Sequence, residues 1–504
     1  MSRVGKTTGV TRRFVLGALL GGVAGQVMAN APLTSMRPIP RGGTALVPGK
    51  SAVPSLDEII SQSQLSGEIS FVVADARTGE ILESRAPLKE LPPASVTKSI
   101  TALYALDVLG TGHKFRTRLV ATGPIAGDRI DGDLVLVGEG DPTLDTDALG
   151  DLAARLREKG IRRISGNFLV YSNGIPSIDS IDPDHPVHAG YNPAVSGLNL
   201  NYNRVHFEWK RQSSGYAVSM DARARRYNPA VSVVNMRVVD RALPVYTYAS
   251  SGGQDEWTVA RRALGQDGSR WLPVRKPELY VADVFQTLAR AQGIPLPRPR
   301  IATQLPKGKV LFEHRSEELR EIMRDMLKWS TNLTAEVAGL AASSVKGVRA
   351  RTLRASANEM TTWARRELGT SKARFVDHSG LGDASRISSS DMVKALTKVH
   401  PRGTLASLLK TIPIRTAKGE VIEKHPVKVV AKTGTLNFVS SLAGYITATD
   451  GRKLAFAIFT ADMPRRAKIT AADGDMPEGT ALWNRRSKRV QMELLKRWGT
   501  AYTA

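Results

Sequence analysis

Apolar and polar residues alternate most clearly near the two ends of the chain. Ile69-Ser-Phe-Val-Val-Ala-Asp75, a turn through Thr78-Gly79 and Glu80-Ile-Leu-Glu-Ser84 predict a β-hairpin. Far downstream, Val427–Thr433, Ser440–Ala448 and Lys453–Thr460 predict three strands, the last two joined by an Asp450-Gly451 turn. Pro426, with no N–H to donate to a ladder, marks the start of the first. Helical spacing fills the intervals: Ser55–Ser66, Leu319–Lys328, Asn332–Ser344, Ala355–Leu368, Ser390–Val399 and Gln491–Trp498. Leu91-Pro-Pro-Ala94 stops an extended segment, and Ser95 then opens an apolar helix that Gly110 closes. These elements predict one α+β domain, an antiparallel sheet covered by helices.

The texture changes between residues 115 and 305. Asp133–Val137 and Ile164–Tyr171 predict strands around a helix at Asp145–Lys159, and β-rich segments follow at Arg204–Lys210 and Val231–Val239. Glu278–Gln292 is again helical in spacing, and Gly293-Ile-Pro-Leu-Pro-Arg-Pro299 punctuates its end. Residues 115–305 therefore predict an inserted α+β region of two subdomains, interrupting a main domain built from 51–114 and 306–504. At 504 residues the chain is too long for a single core.

The N-terminus adds an address. Met1–Ala29 has no acidic residue, carries Arg12-Arg13, and continues into the apolar run Phe14–Ala24. That is the pattern of a twin-arginine-like signal peptide cut after Val27-Met28-Ala29, leaving the Sec or Tat route open. Residues 30–50, rich in Pro and Gly, read as a linker. No internal apolar run reaches the roughly 18 residues that a membrane span needs, which leaves peripheral membrane association open. The reading is of an exported, periplasmic protein.

Composition then narrows the chemistry. The absence of cysteine excludes a disulfide framework, a thiol nucleophile and cysteine-ligated zinc. The eight histidines show no metal-ligand spacing, so no metal or cofactor is expected. A net charge of +24 raises nucleic-acid binding, but the basic residues are scattered and aromatics make up only 6%. Attraction to an anionic wall polymer is the more economical use of that charge.

Three short motifs carry the chemistry. In Ser95-Val-Thr-Lys98 the hydroxyl and the amine lie nearly one helical turn apart, on one face, at a helix N-terminus that favours developing negative charge. Ser343-Ser-Val-Lys346 and Ser407-Leu-Leu-Lys410 match the same spacing, so the pattern alone is weak. Ser330-Thr-Asn332 begins a helix, and Lys432-Thr-Gly-Thr435 lies on a strand. Each alone reads as well as a cap or a strand end; together, and in this order, they form the set of penicillin-binding proteins and β-lactamases.

With Pro93-Ala-Ser-Val-Thr-Lys98, Gly140-Asp-Pro-Thr143, Leu198-Asn-Leu-Asn-Tyr-Asn203, Asp377-His-Ser-Gly-Leu381 and Lys432-Thr-Gly-Thr-Leu436, the chain resembles the D-alanyl-D-alanine carboxypeptidase/endopeptidase family of low-molecular-mass penicillin-binding proteins. The likeness runs from about residue 55 to 460. It implies a β-lactamase/penicillin-binding-protein-like transpeptidase domain and an acyl-enzyme on Ser95. Lys98, its pKa lowered by burial and by Lys432, could take the proton as a neutral amine, and the identity of the general base stays open. Ser330 would relay a proton to the leaving amine, Asn332 would hold the substrate amide, and Lys432 and Thr433 would bind a carboxylate. The oxyanion would lie between the N–H groups of Ser95 and Thr435, with Gly434 letting the substrate backbone approach. Implied partners are peptidoglycan stem peptides and cross-links, and β-lactams as covalent inhibitors; the oligomeric state stays open. Two rivals stand beside this reading. One is a class C-like β-lactamase or esterase using Tyr171 of Tyr171-Ser-Asn173, and the other is a non-catalytic wall-binding protein.

Overall fold

The computed structural model describes residues 53–172, 174–416, 418–470 and 476–502; the signal peptide and linker expected before residue 51 lie outside them. Six antiparallel strands form the main sheet in the order 410–411, 428–436, 439–447, 453–461, 68–75 and 81–85. The N-terminal hairpin thus pairs with the C-terminal strands, Glu68 opposite Ala461 and Asp75 opposite Leu454. The intervening chain emerges from this sheet and returns to it.

Strand periodicity sorts the side chains into two cores. Phe71, Val73, Leu442, Ile446, Leu454, Phe456 and Ile458 meet Ile59 of the Leu56–Ser63 helix and Val490, Leu494, Leu495 and Trp498 of the Thr480–Ala501 helix. Their neighbours Val72, Ala74, Ala443, Ala455, Ala457 and Phe459 face the other way, into a larger helical layer. Small side chains there let the helices lie close. The centre of that layer is the Thr97–Leu109 helix, buried without interruption from Thr97 to Leu106. A helix apolar all round belongs inside. It packs against the Leu319–Trp329, Asn332–Val345 and Leu353–Trp363 helices.

Local signals explain where helices begin. Ser55 and Glu58 form a reciprocal capping box, while Asp145 and Ser388 accept the N–H groups of Ala148 and Asp391. Most expected elements appear within a few residues of their places. The last helix is longer than its apolar stretch predicts, because basic residues face solvent while Val490, Leu494 and Trp498 face the sheet.

The central segment builds its own core. A five-stranded mixed sheet runs 300–301, 168–172, 134–138, 116–121 and 309–315. The Thr146–Glu158 and Pro277–Ala291 helices pack with it and with two three-stranded sheets in one buried cluster that includes Phe168, Phe207, Trp257 and Phe285. Lys309–Arg315 pairs with Arg116–Ala121, so the excursion ends after Arg315 and not at residue 305. The run Lys309-Val-Leu-Phe312 reads locally as a linker to the next helix; only its partner strand nearly 200 residues earlier makes it an edge.

Trp498 closes the sheet's outer core. Its ring lies 5.6 Å from Phe71 and 6.0 Å from Phe456, and its indole N–H donates to Glu83 at 2.7 Å. Truncation empties a fully buried site and removes one donor from Glu83, which keeps its ion pair with Arg497. Trp498→Ala should therefore lose about 3–5 kcal/mol of stability, measured by denaturant unfolding; a loss within 1 kcal/mol contradicts this packing.

Candidate active site

Pro92 and Pro93 end the extended segment, and Ala94 then takes a left-handed conformation (φ +47°). Ala94–Val96 makes a single 3-10 turn that leads into the α-helix at Thr97. Ser95 sits in this turn, ahead of the regular helix, half-buried, with Lys98 fully buried behind it. A left-handed alanine is a strained conformation, typical of positions over-determined by their surroundings. Here the surroundings are visible. A Cβ on Gly434 would fall 2.7 Å from the Pro93 carbonyl oxygen and 3.0 Å from the Ala94 Cβ. Ser441 Oγ donates to the same Pro93 carbonyl at 2.7 Å. Gly434, expected to admit substrate backbone, is thus required first by the close approach of the Ser95 turn to the strand.

Lys98 Nζ is the hub. It is 3.0 Å from Ser95 Oγ, 2.6 Å from Asn332 Oδ1 and 2.7 Å from the Ser379 carbonyl oxygen. A neutral amine has two N–H bonds and one lone pair. The amide oxygen and the carbonyl can only accept, so they take both N–H bonds and leave the lone pair to the Ser95 O–H. Burial lowers the Lys98 pKa to about 8, against the opposing charges of Glu336 and Asp377. The expected contribution of Lys432 works in the other direction: burial, then the charges of Lys98 and Lys410, push Lys432 far below its ordinary value.

Neither Ser330 nor Asn332 caps the Asn332–Val345 helix with its side chain. Ser330 ends the Leu319–Trp329 helix in the left-handed conformation (φ 62°, ψ 38°), and Asn332 is the first residue of the next helix. Their side chains therefore turn to the site. Lys432 Nζ donates to Ser330 Oγ at 2.9 Å and to the Thr433 carbonyl at 2.7 Å. Asn332, expected to hold substrate, has its oxygen on Lys98 and its Nδ2 on the Tyr191 carbonyl at 2.9 Å. Strand 410–411 pairs with 428–436 only at Val430 and Ala431. Thr433, half-buried, and Thr435, exposed, lie beyond that pairing on the stretch that borders the Ser95 turn.

Hydrogen bonds thus join Ser95, Lys98 and Asn332 in one group and Ser330 and Lys432 in another, and the charge of Lys98 acts on Lys432 between them. The chain matches the D-Ala-D-Ala carboxypeptidase 3 (S13) family over residues 52–475. It belongs to that family. It is 28% identical over 454 residues to the D-alanyl-D-alanine carboxypeptidase of Actinomadura sp. (strain R39), covering 80% of this chain and 79% of the relative. It is 24% identical over 422 residues to the D-alanyl-D-alanine carboxypeptidase DacB of Haemophilus influenzae, covering 79% and 88%. The crystal structure of penicillin-binding protein 4 from Haemophilus influenzae superposes with a TM-score of 0.70 at 20% identity, covering 89% of this chain and all of that one. The same protein complexed with a β-lactam gives 0.69. The α+β penicillin-binding-protein fold with its large inserted region is the fold of this S13 chain.

Within the S13 chain the other motif matches fall away from this group. Ser343 is buried in the Asn332–Val345 helix, bonded to Ser356 and Tyr104, and Ser407 Oγ donates to the Thr404 carbonyl. Tyr171 lies on the Phe168–Ser172 strand and packs against Val120, Val135 and Val137 within the central sheet. Three groups escaped the sequence reading: the Ser379 carbonyl, the Tyr191 carbonyl and Glu336. A backbone oxygen has no sequence signature. Glu336 did have one, as the lone charge in the helix Asn332-Leu-Thr-Ala-Glu-Val-Ala-Gly-Leu-Ala-Ala-Ser-Ser-Val345.

Gly434→Ala tests the contact that shapes the turn. Overpacking of this kind typically costs about 1–3 kcal/mol, and displacement of Ser95 from Lys98 should slow penicillin labelling about tenfold or more. Wild-type labelling rates in the variant would show that the turn does not depend on this approach.

Proposed function

We propose that this chain is a serine-type D-Ala-D-Ala carboxypeptidase and D,D-endopeptidase that acts on peptidoglycan outside the cytoplasm through an acyl-enzyme on Ser95. The observation that carries the reading is the buried Lys98 amine, 3.0 Å from Ser95 Oγ and held from its other sides by Asn332 Oδ1 and the Ser379 carbonyl. Ser95 Oγ attacks the carbonyl of the penultimate D-Ala as its proton passes to Lys98. The C–O bond forms, and the oxyanion is met by the N–H groups of Ser95 and Thr435. As the C–N bond breaks, a proton reaches the leaving nitrogen through Ser330, which Lys432 holds by its hydroxyl. Water then attacks the ester with Lys98 again as base, releasing the shortened stem and restoring Ser95. A β-lactam presents the same carbonyl and carboxylate, and its ring nitrogen stays tethered after the bond breaks. The likeness to a penicillin-binding protein solved with a β-lactam supports this extension.

The carboxylate socket sets the substrate. Lys432 and Thr433 are taken as the socket for a carboxylate one residue beyond the scissile carbonyl. Terminal D-Ala offers one, and in a cross-link the D-centre of diaminopimelate carries one beside the amide that is cut. A single socket therefore serves both bonds. The class C-like alternative needs Tyr171 near Ser95, and the packing of its ring in the central sheet speaks against it. A non-catalytic wall-binding role has no use for a buried lysine of lowered pKa.

Acylation by a chromogenic β-lactam should rise with pH through the Lys98 pKa near 8, because only the neutral amine accepts the proton. Lys98→Arg stays protonated and should lose acylation by about 10²-fold or more; near-wild-type acylation would place the base elsewhere. Lys432→Met should lower D-Ala release from pentapeptides and cleavage of cross-linked dimers in parallel, followed by chromatography of purified muropeptides. Release of D-Ala by wild-type enzyme with dimers left intact would remove the endopeptidase half.

A further inference from the structure

Glu336 is fully buried and lies one helical turn beyond Asn332. It stands between two apolar clusters, with Ala335, Ala338 and Ala342 in one and Leu333, Val337 and Leu340 in the other. No arginine pairs with it among the described residues. Its Oε2 accepts the His378 N–H at 3.0 Å, and its Oε1 accepts the Ser379 N–H at 2.8 Å. The same short loop is held by Asp377, which accepts the Gly380 and Gly382 N–H groups at 2.7 and 2.6 Å, and by Thr101, which donates to the His378 carbonyl at 2.6 Å. Gly380 presses against the Ser95 turn so closely that a Cβ would lie 1.9 Å from the Ala94 carbonyl oxygen. What this loop delivers to the centre is the Ser379 carbonyl, one of the two acceptors that orient Lys98.

A buried carboxylate is costly, and two apolar walls with one polar loop could be built without a charge. We propose that Glu336 is a positioning residue for the base: it fixes the Ser379 carbonyl on Lys98, so that the amine lone pair points at Ser95, and its negative charge is the counter-ion of protonated Lys98. The proposal rests on Lys98 as the base.

The charge has a readable consequence. Burial, and then the charge of Asp377, raise the Glu336 carboxyl itself to about 8, against the Ser379 and His378 N–H groups and Lys98; in its ionised form it favours the ammonium of Lys98 and holds that pKa above the value that burial alone would set. Removing the charge must move the acid limb of acylation to lower pH. The other titratable groups facing this pair are Asp377 and His378 from the loop and Lys432 from the strand, with Asp182 behind Asp377 and Lys410 behind Lys432. Burial keeps the His378 pKa at about 3, so it stays neutral throughout, and Asp377 is raised by burial to about 6, below the limb assigned to Lys98. None of these residues is altered in the variants.

The test is the second-order acylation rate against pH with a chromogenic β-lactam, on full-length wild type, Glu336→Gln, Glu336→Asp and Lys98→Arg. Glu336→Gln keeps the shape and removes the charge. Its limb should move down by about one pH unit, and its plateau should fall about tenfold because an amide has one oxygen for two N–H groups. Glu336→Asp keeps the charge on a shorter arm, so its limb should stay while its plateau falls. A residue that merely supports the fold would lower the melting temperature and leave the limb in place. An unmoved limb in Glu336→Gln, with Lys98→Arg inactive, overturns this role alone. Near-normal acylation by Lys98→Arg overturns the base assignment and this role with it. Should Glu336→Gln yield no folded protein, the plateau of Glu336→Asp decides, and an unchanged plateau refutes the role.

Discussion

The centre depends on satisfying one amine in a place without water. An unpartnered lysine at full burial would cost several kcal/mol, and Lys98 avoids this with partners from Ser95, Asn332 and Ser379. Two of these are 234 and 281 residues away in sequence. The helical layer, the loop at 377–382 and the first turn of the Asn332–Val345 helix must all be in register before the amine is satisfied. Lowered basicity and fixed direction thus follow from the same burial that makes the arrangement demanding.

Much of this was legible one element at a time. The alternation in Ile69–Asp75 and Lys453–Thr460 marks strands, and the apolar surroundings of Ser95 mark a buried helix. The order of Ser95-x-x-Lys98, Ser330-x-Asn332 and Lys432-Thr-Gly434 points to the chemistry before any coordinate is known. What stayed hidden depends on contacts between distant segments. Nothing local makes Lys309–Arg315 an edge strand of the central sheet, since its partner is Arg116–Ala121. Nothing local turns Ser330 from a cap into a member of the site, because that follows from a left-handed backbone and from Lys432. Gly434 reads as a glycine for substrate until the Pro93 carbonyl is found against it.

The central region is also part of the site. Asn332 is held at both ends of its amide, by Lys98 on one side and by the Tyr191 carbonyl on the other. The segment that carries Tyr191 is anchored by Ile175, Ile181 and Val195, which pack with Leu333, Val337 and Leu340 of the helix Asn332 begins. An excursion that looks like a separable module therefore contributes a backbone carbonyl to the hydrogen bonding of Asn332, the partner of Lys98. Its boundaries in sequence do not coincide with a boundary in chemistry.

The pairing of Glu68–Asp75 with Lys453–Ala461 has a consequence for how the protein comes into being. The strand made first has its permanent neighbour among the strands made last, and a loop of that length is entropically slow to close. The excursion between them pairs within its own residues, Arg116–Ala121 with Leu134–Gly138 and with Lys309–Arg315. Chain growth therefore supplies every strand of the excursion's sheet before the main sheet has its middle. A truncated chain ending short of residue 453 would leave one edge of Glu68–Asp75 open, with only Ile81–Arg85 on its other side, an edge prone to association. The sheet that holds the Lys432 strand is therefore complete only once residue 461 has been made.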